Sequence, residues 1–348
     1  MRLFPFPGRV LYPYDMNTPT GLPALAGRLC RSLARLLALA PSAVGGQAVM
    51  EGVMIRNRDR LAIAVRKPDG TILLELRPWY TLAPWPWLRK PFVRGFPVLL
   101  ETLVNGVKAL NFSAEVAVEE EGEGQGSGGS ELKPWHLVVT IAAAIGLALF
   151  LFVVLPHLLS LGLEYLGWSG GTDSLSFHIW DGFFKMAVFL GYLGAVSLVP
   201  DIRRVFQYHG AEHKAIWAFE TGGELTPEAC RGHSRLHPRC GTAFLLFVLS
   251  ISIVLHAVLI PGLTALWVPS GAVLRQTYIV AAKFLLMIPV SALAYELIRY
   301  AGRKADTLLC RALCWPGLAM QRLTTFEPDD SQLEVALAAL KGATDDRK

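Results

Sequence analysis

Between Tyr208 and Gly241 the chain reads YHGAEHKAIWAFETGGELTPEACRGHSRLHPRCG. That stretch holds four of its eight histidines, two of its five cysteines and four carboxylates. His209, Glu212 and His213 make H-x-x-E-H, the arrangement used by inverzincin metallohydrolases. On a helix, residues four apart lie on one face, so both imidazoles can meet one divalent cation with Glu212 beside them. Zinc accepts such nitrogen ligands, and a catalytic site leaves a position for water whose proton a nearby carboxylate takes. Glu212 suits that base role. Gly210, inside the same helix, costs about 1 kcal/mol relative to Ala, and its missing side chain would let a substrate or another backbone come close.

Two imidazoles do not complete a zinc site. The loop offers Glu220, Glu224, His233, His237 and Cys240 as further ligands. His237 is preferred and Cys240 comes next, because LHPRCG brings both to the start of an apolar run; using both would close the site to water. The plainer alternative is that His209 and His213 bond carboxylates such as Glu220, or phosphate headgroups. Elsewhere, Gln47 and Glu51 in GGQAVMEG are flanked by glycines and could orient a substrate or complete a metal shell; otherwise they are solvated strand residues. FEPDDSQLE at 326–334 gathers four carboxylates, but Ser331 and Glu334 match a capping box better than a magnesium site.

The elements that must hold these residues are mostly apolar. Hydrophobic residues make up 53% of the chain and charged ones 18%, the balance of a membrane protein with a small polar domain. Four segments approach the ~20 residues a helix needs to cross a bilayer. They are Leu137–Leu155, continuing past Pro156 toward Leu163, then Phe183–Val199, Ala243 to about Leu266, and Tyr278–Leu297. The connection 162–181 has no Lys or Arg, 201–240 has six, 267–276 has only Arg275, and the tail after Leu297 has eight. This alternation predicts four crossings with both termini, and the histidine-rich loop, in the cytoplasm. Residues 1–108 agree, with fifteen basic against six acidic residues. Topology thus explains the basic charge, and no nucleic-acid role is expected.

Within the spans, Lys185 and Lys283 are read as snorkelling from positions near the outer ends. His157 and Glu296 also sit near ends, His256 as a neutral imidazole bonded to a neighbouring helix, and no buried charge pair is expected. The five cysteines, Cys30, Cys230, Cys240, Cys310 and Cys314, show no disulfide-framework spacing.

LAIAVRKPDGTILLEL at 61–76 predicts two strands turning at Pro68, Asp69 and Gly70, and 45–56 could add another. Pro97–Phe112 carries a helical stripe of Leu99, Leu100, Leu103, Val107 and Leu110 that would lie along the membrane or under the spans. LCRSLARLLALA at 29–40 reads as an amphipathic surface helix. RPWYTLAPWPWLRKP at 77–91 has the composition of an interfacial segment or a Trp-rich clasp, and EEEGEGQGSGGS at 119–130 that of a flexible linker. Asp201 is the expected N-cap of the H-x-x-E-H helix.

The predicted fold is mainly α and membrane-embedded. It has about four transmembrane helices, a small β-rich N-terminal cytoplasmic domain and amphipathic or interfacial helices. Its divisions are an irregular or amphipathic extension at 1–44, a β-rich domain with interfacial helix at 45–113, an acidic linker at 114–134, a transmembrane bundle at 135–300 carrying the loop 200–241, and C-terminal cytoplasmic helices at 301–348.

VGGQAVMEGVMIR, DIRRVFQYHGAEHKAI, GELTPE, SRLHPRCGTAFLL and LTTFEPDDSQLEVALAAL resemble the ordered signature blocks of the bacterial YqhQ-like membrane proteins, the family of domain of unknown function 1385. The resemblance spans roughly 45–340. It implies a multi-pass inner-membrane protein, a predicted metal-dependent enzyme with a metal at His209, Glu212 and His213, and no named substrate. Phe326 departs from the pattern, which leads to a basic residue there.

Two functions follow. One is a metal-dependent membrane hydrolase, peptidase-like or acting on lipid headgroups, in which Glu212 activates water at the cytoplasmic face. The other is a scaffold or assembly factor whose loop folds around a structural ion or hydrogen bonds, and whose basic domain binds a partner or anionic lipid.

Overall fold

The computed structural model describes residues 44–82, 86–118, 134–172, 174–303 and 308–345. The expected surface helix at 29–40, the irregular start and the acidic linker at 119–130 lie outside the described residues.

Four antiparallel strands form a meander in the order β1 (Val44–Val49), β2 (Gly52–Asn57), β3 (Arg60–Arg66) and β4 (Ile72–Pro78). Two-residue links join β1 to β2 and β2 to β3, where Glu51 and Arg58 adopt positive φ of 49° and 54°. The expected turn joins β3 to β4: Gly70 takes φ 86° and Asp69 Oδ1 accepts from Thr71 N at 2.7 Å. Side chains alternate across a pleat, so the sheet is apolar on both faces. One face carries Val49, Met54, Leu61, Ile63 and Val65 against Ala109 and Val116 of helix α1 (Gly95–Val118). The other carries Val53, Ile55, Ala62 and Ala64 against α5 (Pro200–Glu220) and α11 (Asp330–Thr344). Each fully buried Leu or Ile contributes roughly 1.5–3 kcal/mol, so Leu333, Leu337 and Leu340 of α11 are a large share of what holds the C-terminal helix to the N-terminal sheet.

α1 turns its leucine stripe outward and a different side to the sheet. Glu101, Asn105, Ala109, Ser113 and Val116 are buried, while Leu103, Val107 and Leu110 are exposed. Polar burial is possible because Glu101 accepts from Thr81 Oγ1 at 2.7 Å and Leu82 N at 3.0 Å, and Asn105 Nδ2 donates to Tyr80 O at 2.9 Å.

The apolar helices are α2 (Pro134–Leu149) and α3 (Leu155–Tyr165), joined by a π turn at Phe150–Val154, then α4 (Leu175–Val196), α7 (Gly241–Leu266), and α8 (Ala272–Leu285) continued by α9 (Met287–Arg303). The π turn precedes Pro156, which lacks an N–H and crowds the carbonyl four residues back. The break between α8 and α9 precedes Pro289 for the same reason. Four stretches, Ala142–Tyr165, Leu175–Val196, Phe244–Leu266 and Ala272–Ile298, are long and apolar enough to cross a membrane. α6 (Pro227–Arg231) and α10 (Leu308–Thr324) complete the helices named here.

Several expectations need correction. α4 starts at Leu175, well before Phe183, capped by Ser174 Oγ, which accepts from Phe177 N at 3.2 Å. Val199, not Asp201, is the N-cap of α5, with Pro200 in the first turn where its missing N–H costs nothing. The capping box of α11 is Asp329 with Gln332, leaving Glu334 free to pair with Arg66 at 2.7 Å. Lys185 and Lys283 do not snorkel. Both reach Asp181 Oδ2, at 2.7 Å and 2.9 Å, with all three side chains at most 3% exposed, so the bundle does contain a buried charge cluster.

Candidate metal centre

The middle turns of α5 are buried from Tyr208 to Ile216 because three elements surround them. The sheet covers one side. The loop 231–240 covers a second, where Lys214 Nζ donates to Arg231 O at 3.0 Å and Trp217 Nε1 to Leu236 O at 3.0 Å. The segment 324–328 covers the third and comes so close that a Cβ on Gly210 would overlap the Phe326 carbonyl oxygen. Glycine admits that backbone. Phe326 N donates to Phe206 O at 2.9 Å, Lys214 pairs with Glu327 at 2.8 Å, and Phe326 itself lies against the Phe206 ring with the Arg203 guanidinium above it.

This enclosure fixes both imidazoles. His209 Nδ1 lies 2.7 Å from Thr324 O, and His213 Nδ1 2.6 Å from Arg235 O. A carbonyl only accepts, so each Nδ1 carries the proton and each Nε2 is a bare lone pair, the tautomer a metal ligand requires. His209 Nε2 lies 3.1 Å from Cys240 Sγ, while His213 Nε2 is buried without a hydrogen-bond partner. The two rings meet at 4.5 Å between centroids. Neither ring bonds a carboxylate.

Cys240 arrives from another direction. It is the N-cap of α7, and its Sγ lies 3.4 Å from Thr242 N and 3.1 Å from Thr242 Oγ1. A helix N-terminus favours a thiolate. Burial opposes ionisation of this thiol, whereas positive charge on His213 and the Thr242 hydrogen bonds favour it, and the balance holds its pKa below the ordinary value. One atom each of His209, His213 and Cys240 lie within 4.8 Å of one another, and all three residues are buried. A tetrahedral zinc separates its ligand atoms by roughly 3.3–3.8 Å. Two bare imidazole nitrogens, one of them orphaned, and an acidified thiol fit a borderline-soft divalent ion well.

Glu212 stands beside them and is 4% exposed. Gly46 of β1 donates its N–H to this carboxylate, and a Cβ on Gly46 would lie 2.8 Å from Glu212 Oε1 and 2.7 Å from Met54 O. Burial pushes the Glu212 carboxyl up to about 8, against the pull of His209. Burial and the surrounding imidazoles likewise lower His213.

The structure brings Cys240, rather than the preferred His237, to the two imidazoles. The His237 backbone is clamped by Gln321, which accepts from its N at 2.8 Å and donates to its O at 2.8 Å. Its ring packs on Trp217 at 4.8 Å and lies 5.7 Å from the His213 ring. His237 Nε2 is 3.5 Å from Glu220 Oε2 but makes no hydrogen bond, and burial lowers the ring pKa to about 4, so it is a neutral neighbour of the centre. Glu224 is exposed and His233 half-buried, apart from the group.

Gln47 and Glu51 are not in the group either. Gly46 faces Glu212, so Gln47, the next residue on the strand, faces the other way, and its amide lies against Gly106 of α1. Glu51 is not a solvated strand residue. Its carboxylate is gripped by Arg204 and accepts from Tyr208 Oη at 3.1 Å, tying the β1–β2 turn to α5. The residues that sequence reasoning missed are Gly46, Thr242, Gln321 and the carbonyls of Thr324 and Arg235. The carbonyls carry no signal in their side chains, and the N-cap role of Cys240 emerges only from the structure.

No solved structure matches this chain. The uncharacterized protein YqhQ of Bacillus subtilis is 35% identical over 305 residues, covering 85% of this chain and 91% of that protein. Residues 90–346 match the family model described as a protein of unknown function, DUF1385. The chain therefore belongs to the DUF1385 family.

Proposed function

We propose that the chain is a multi-pass protein of the bacterial inner membrane with both termini in the cytoplasm. In this reading His209, His213 and Cys240 hold a divalent metal, zinc by donor type, and the centre hydrolyses a peptide or ester bond presented at the cytoplasmic face. The four apolar stretches support insertion, and the exposed Leu103, Val107 and Leu110 give α1 an apolar stripe for the bilayer surface. The basic 201–240 and 299–348 segments support the orientation.

The observation that carries the hydrolytic reading is the convergence of two bare Nε2 atoms on the Cys240 thiol with a buried carboxyl next to them. Three protein ligands leave a tetrahedral ion one open position, and an ion so bound polarises a carbonyl and acidifies water. The chain's own part is proton handling and orientation. Glu212 holds or accepts a proton at its carboxyl, with the Gly46 N–H fixing one oxygen. A carboxyl near 8 is matched to that task at neutral pH. Thr324 O and Arg235 O keep the imidazoles in one tautomer throughout.

One observation favours the second reading, a structural ion in a scaffold. Every member of the group is buried, and the 324–328 segment closes over α5. Glu212→Gln decides between them. In a hydrolase the variant retains metal and fails to complement a deletion strain, whereas His209→Ala loses both. Full complementation by Glu212→Gln removes catalysis by this carboxyl and leaves the scaffold.

A further inference from the structure

The charge cluster inside the apolar bundle has no part in the centre on α5. Asp181 and Lys185 are one turn apart on α4, and Lys283 reaches the same carboxylate oxygen from α8. Lys283 Nζ is 3.1 Å from His157 Nδ1 on α3, and Lys185 Nζ is 3.2 Å from His256 Nδ1 on α7. An ammonium only donates, so both Nδ1 atoms accept and both neutral rings carry their proton on Nε2. The His157 Nε2–H donates to Gln276 Oε1 at 2.9 Å. Asp181 Oδ1, His256 Nε2 and both ring nitrogens of His178 are buried without hydrogen-bond partners.

Among the described residues, the titratable groups facing one another here are His157 of α3, His178, Asp181 and Lys185 of α4, His256 of α7 and Lys283 of α8. The π turn contributes none, and Glu296 of α9 is turned to Arg94 at 2.7 Å instead. Glu164 and Arg275 lie toward the end of the bundle where α3 finishes and α8 begins. Two ammonium groups against one carboxylate leave one positive charge in excess. In an apolar bundle that excess is costly, and loss of one proton removes it.

We propose that this cluster is a proton-exchange site within the bundle, with Lys283, His157 and Gln276 leading from Asp181 to the end at which α8 begins. The inference rests on the reading of these helices as membrane-spanning and is independent of the metal centre. In release, an Nζ–H bond of Lys283 breaks and an Nδ1–H bond forms on His157. When Gln276 Oε1 gives way to a water molecule, the imidazolium Nε2–H breaks and its proton forms hydronium on that water. His157 is left neutral with its proton on Nδ1, and the Lys283 amine lone pair accepts that N–H. One proton leaves, no electrons change hands, and the charge of the Asp181–Lys185–Lys283 triad falls from +1 to zero. Uptake is the reverse. Lys185 is the fixed ammonium, because its imidazole ends on a partnerless Nε2 and leads nowhere.

The test is nitrogen NMR of the full chain, labelled at lysine and histidine and reconstituted in phosphatidylethanolamine–phosphatidylglycerol vesicles, from about pH 5 to pH 9. One lysine signal should pass from ammonium to amine, and one histidine should exchange its Nε2-protonated form for the Nδ1-protonated form with the same midpoint. Lys283→Met should abolish both changes while leaving the Asp181–Lys185 pair. Lysine signals that all stay ammonium, with invariant imidazoles, would overturn the proposal. So would a transition that survives in Lys283→Met. If that variant does not fold, the wild-type spectra decide alone.

Discussion

The chain buries two groups of titratable side chains, and they are built on opposite principles. Around α5, neutral imidazoles and a thiol present lone pairs to a common point, with every outer nitrogen satisfied by a backbone carbonyl. In the apolar bundle, full charges from α4 and α8 satisfy one another, and one imidazole accepts a further N–H from each ammonium. In our proposal a cation completes the first arrangement. The second already has one positive charge too many. A buried group of donors with bare lone pairs therefore points to a metal, whereas a buried surplus of charge points to a proton.

The difference can be broken most severely in the bundle. Asp181→Asn leaves two ammonium groups facing no carboxylate, and we expect a loss of about 3–5 kcal/mol in stability, read as a lowered unfolding temperature in detergent. Replacing Asp181 and both lysines together by apolar residues should recover most of it, since a buried ion cluster is worth little against good packing. An Asp181→Asn chain as stable as the wild type would show that the cluster is hydrated or uncharged.

At α5 the expected effects fall on metal affinity more than on folding. Gly210→Ala pushes against the Phe326 carbonyl, and the segment that must shift carries the Thr324 oxygen that orients His209. We expect a destabilisation of about 1–3 kcal/mol together with a loss of about 10–100-fold in metal affinity, measured by competition with a chelating dye. Cys240→Ser should cost more affinity than His237→Ala. The reverse order would restore His237 as the third ligand and displace the geometry described here. At the surface, Arg231 and Asp330 pair between two exposed side chains. Arg231→Ala should change stability by at most about 1 kcal/mol, which sets the scale for the larger effects.

The two groups also differ in how far the sequence revealed them. H-x-x-E-H is a local pattern, so the meeting of the His209 and His213 rings was legible from spacing alone. Cys240 was present among the alternatives, but its rank depended on Gln321 clamping His237, a contact between residues 84 apart. The four apolar stretches and the Pro68–Gly70 turn were legible because they depend on composition and on local dihedrals. The docking of α11 on the sheet was not, because Asn57 to Ala343 and Arg66 to Ser331 join opposite ends of the chain. The charge cluster was missed for a related reason. Lys185, Lys283, His157 and His256 each look tolerable on a separate helix, and only packing shows that they share Asp181. The leucine stripe of α1 faces outward, as a helix lying along a membrane requires, and what its spacing did not reveal is that the sheet takes the side bearing Glu101 and Asn105.

The most direct measurement is elemental analysis of the full chain purified in detergent without added metal or chelator, beside His209→Ala and Cys240→Ser. We expect about one zinc-class ion per wild-type chain and little in either variant, with His237→Ala retaining it. A folded wild-type chain that carries no transition metal, and takes up none when zinc is supplied, would contradict the assignment of His209, His213 and Cys240 as a metal centre.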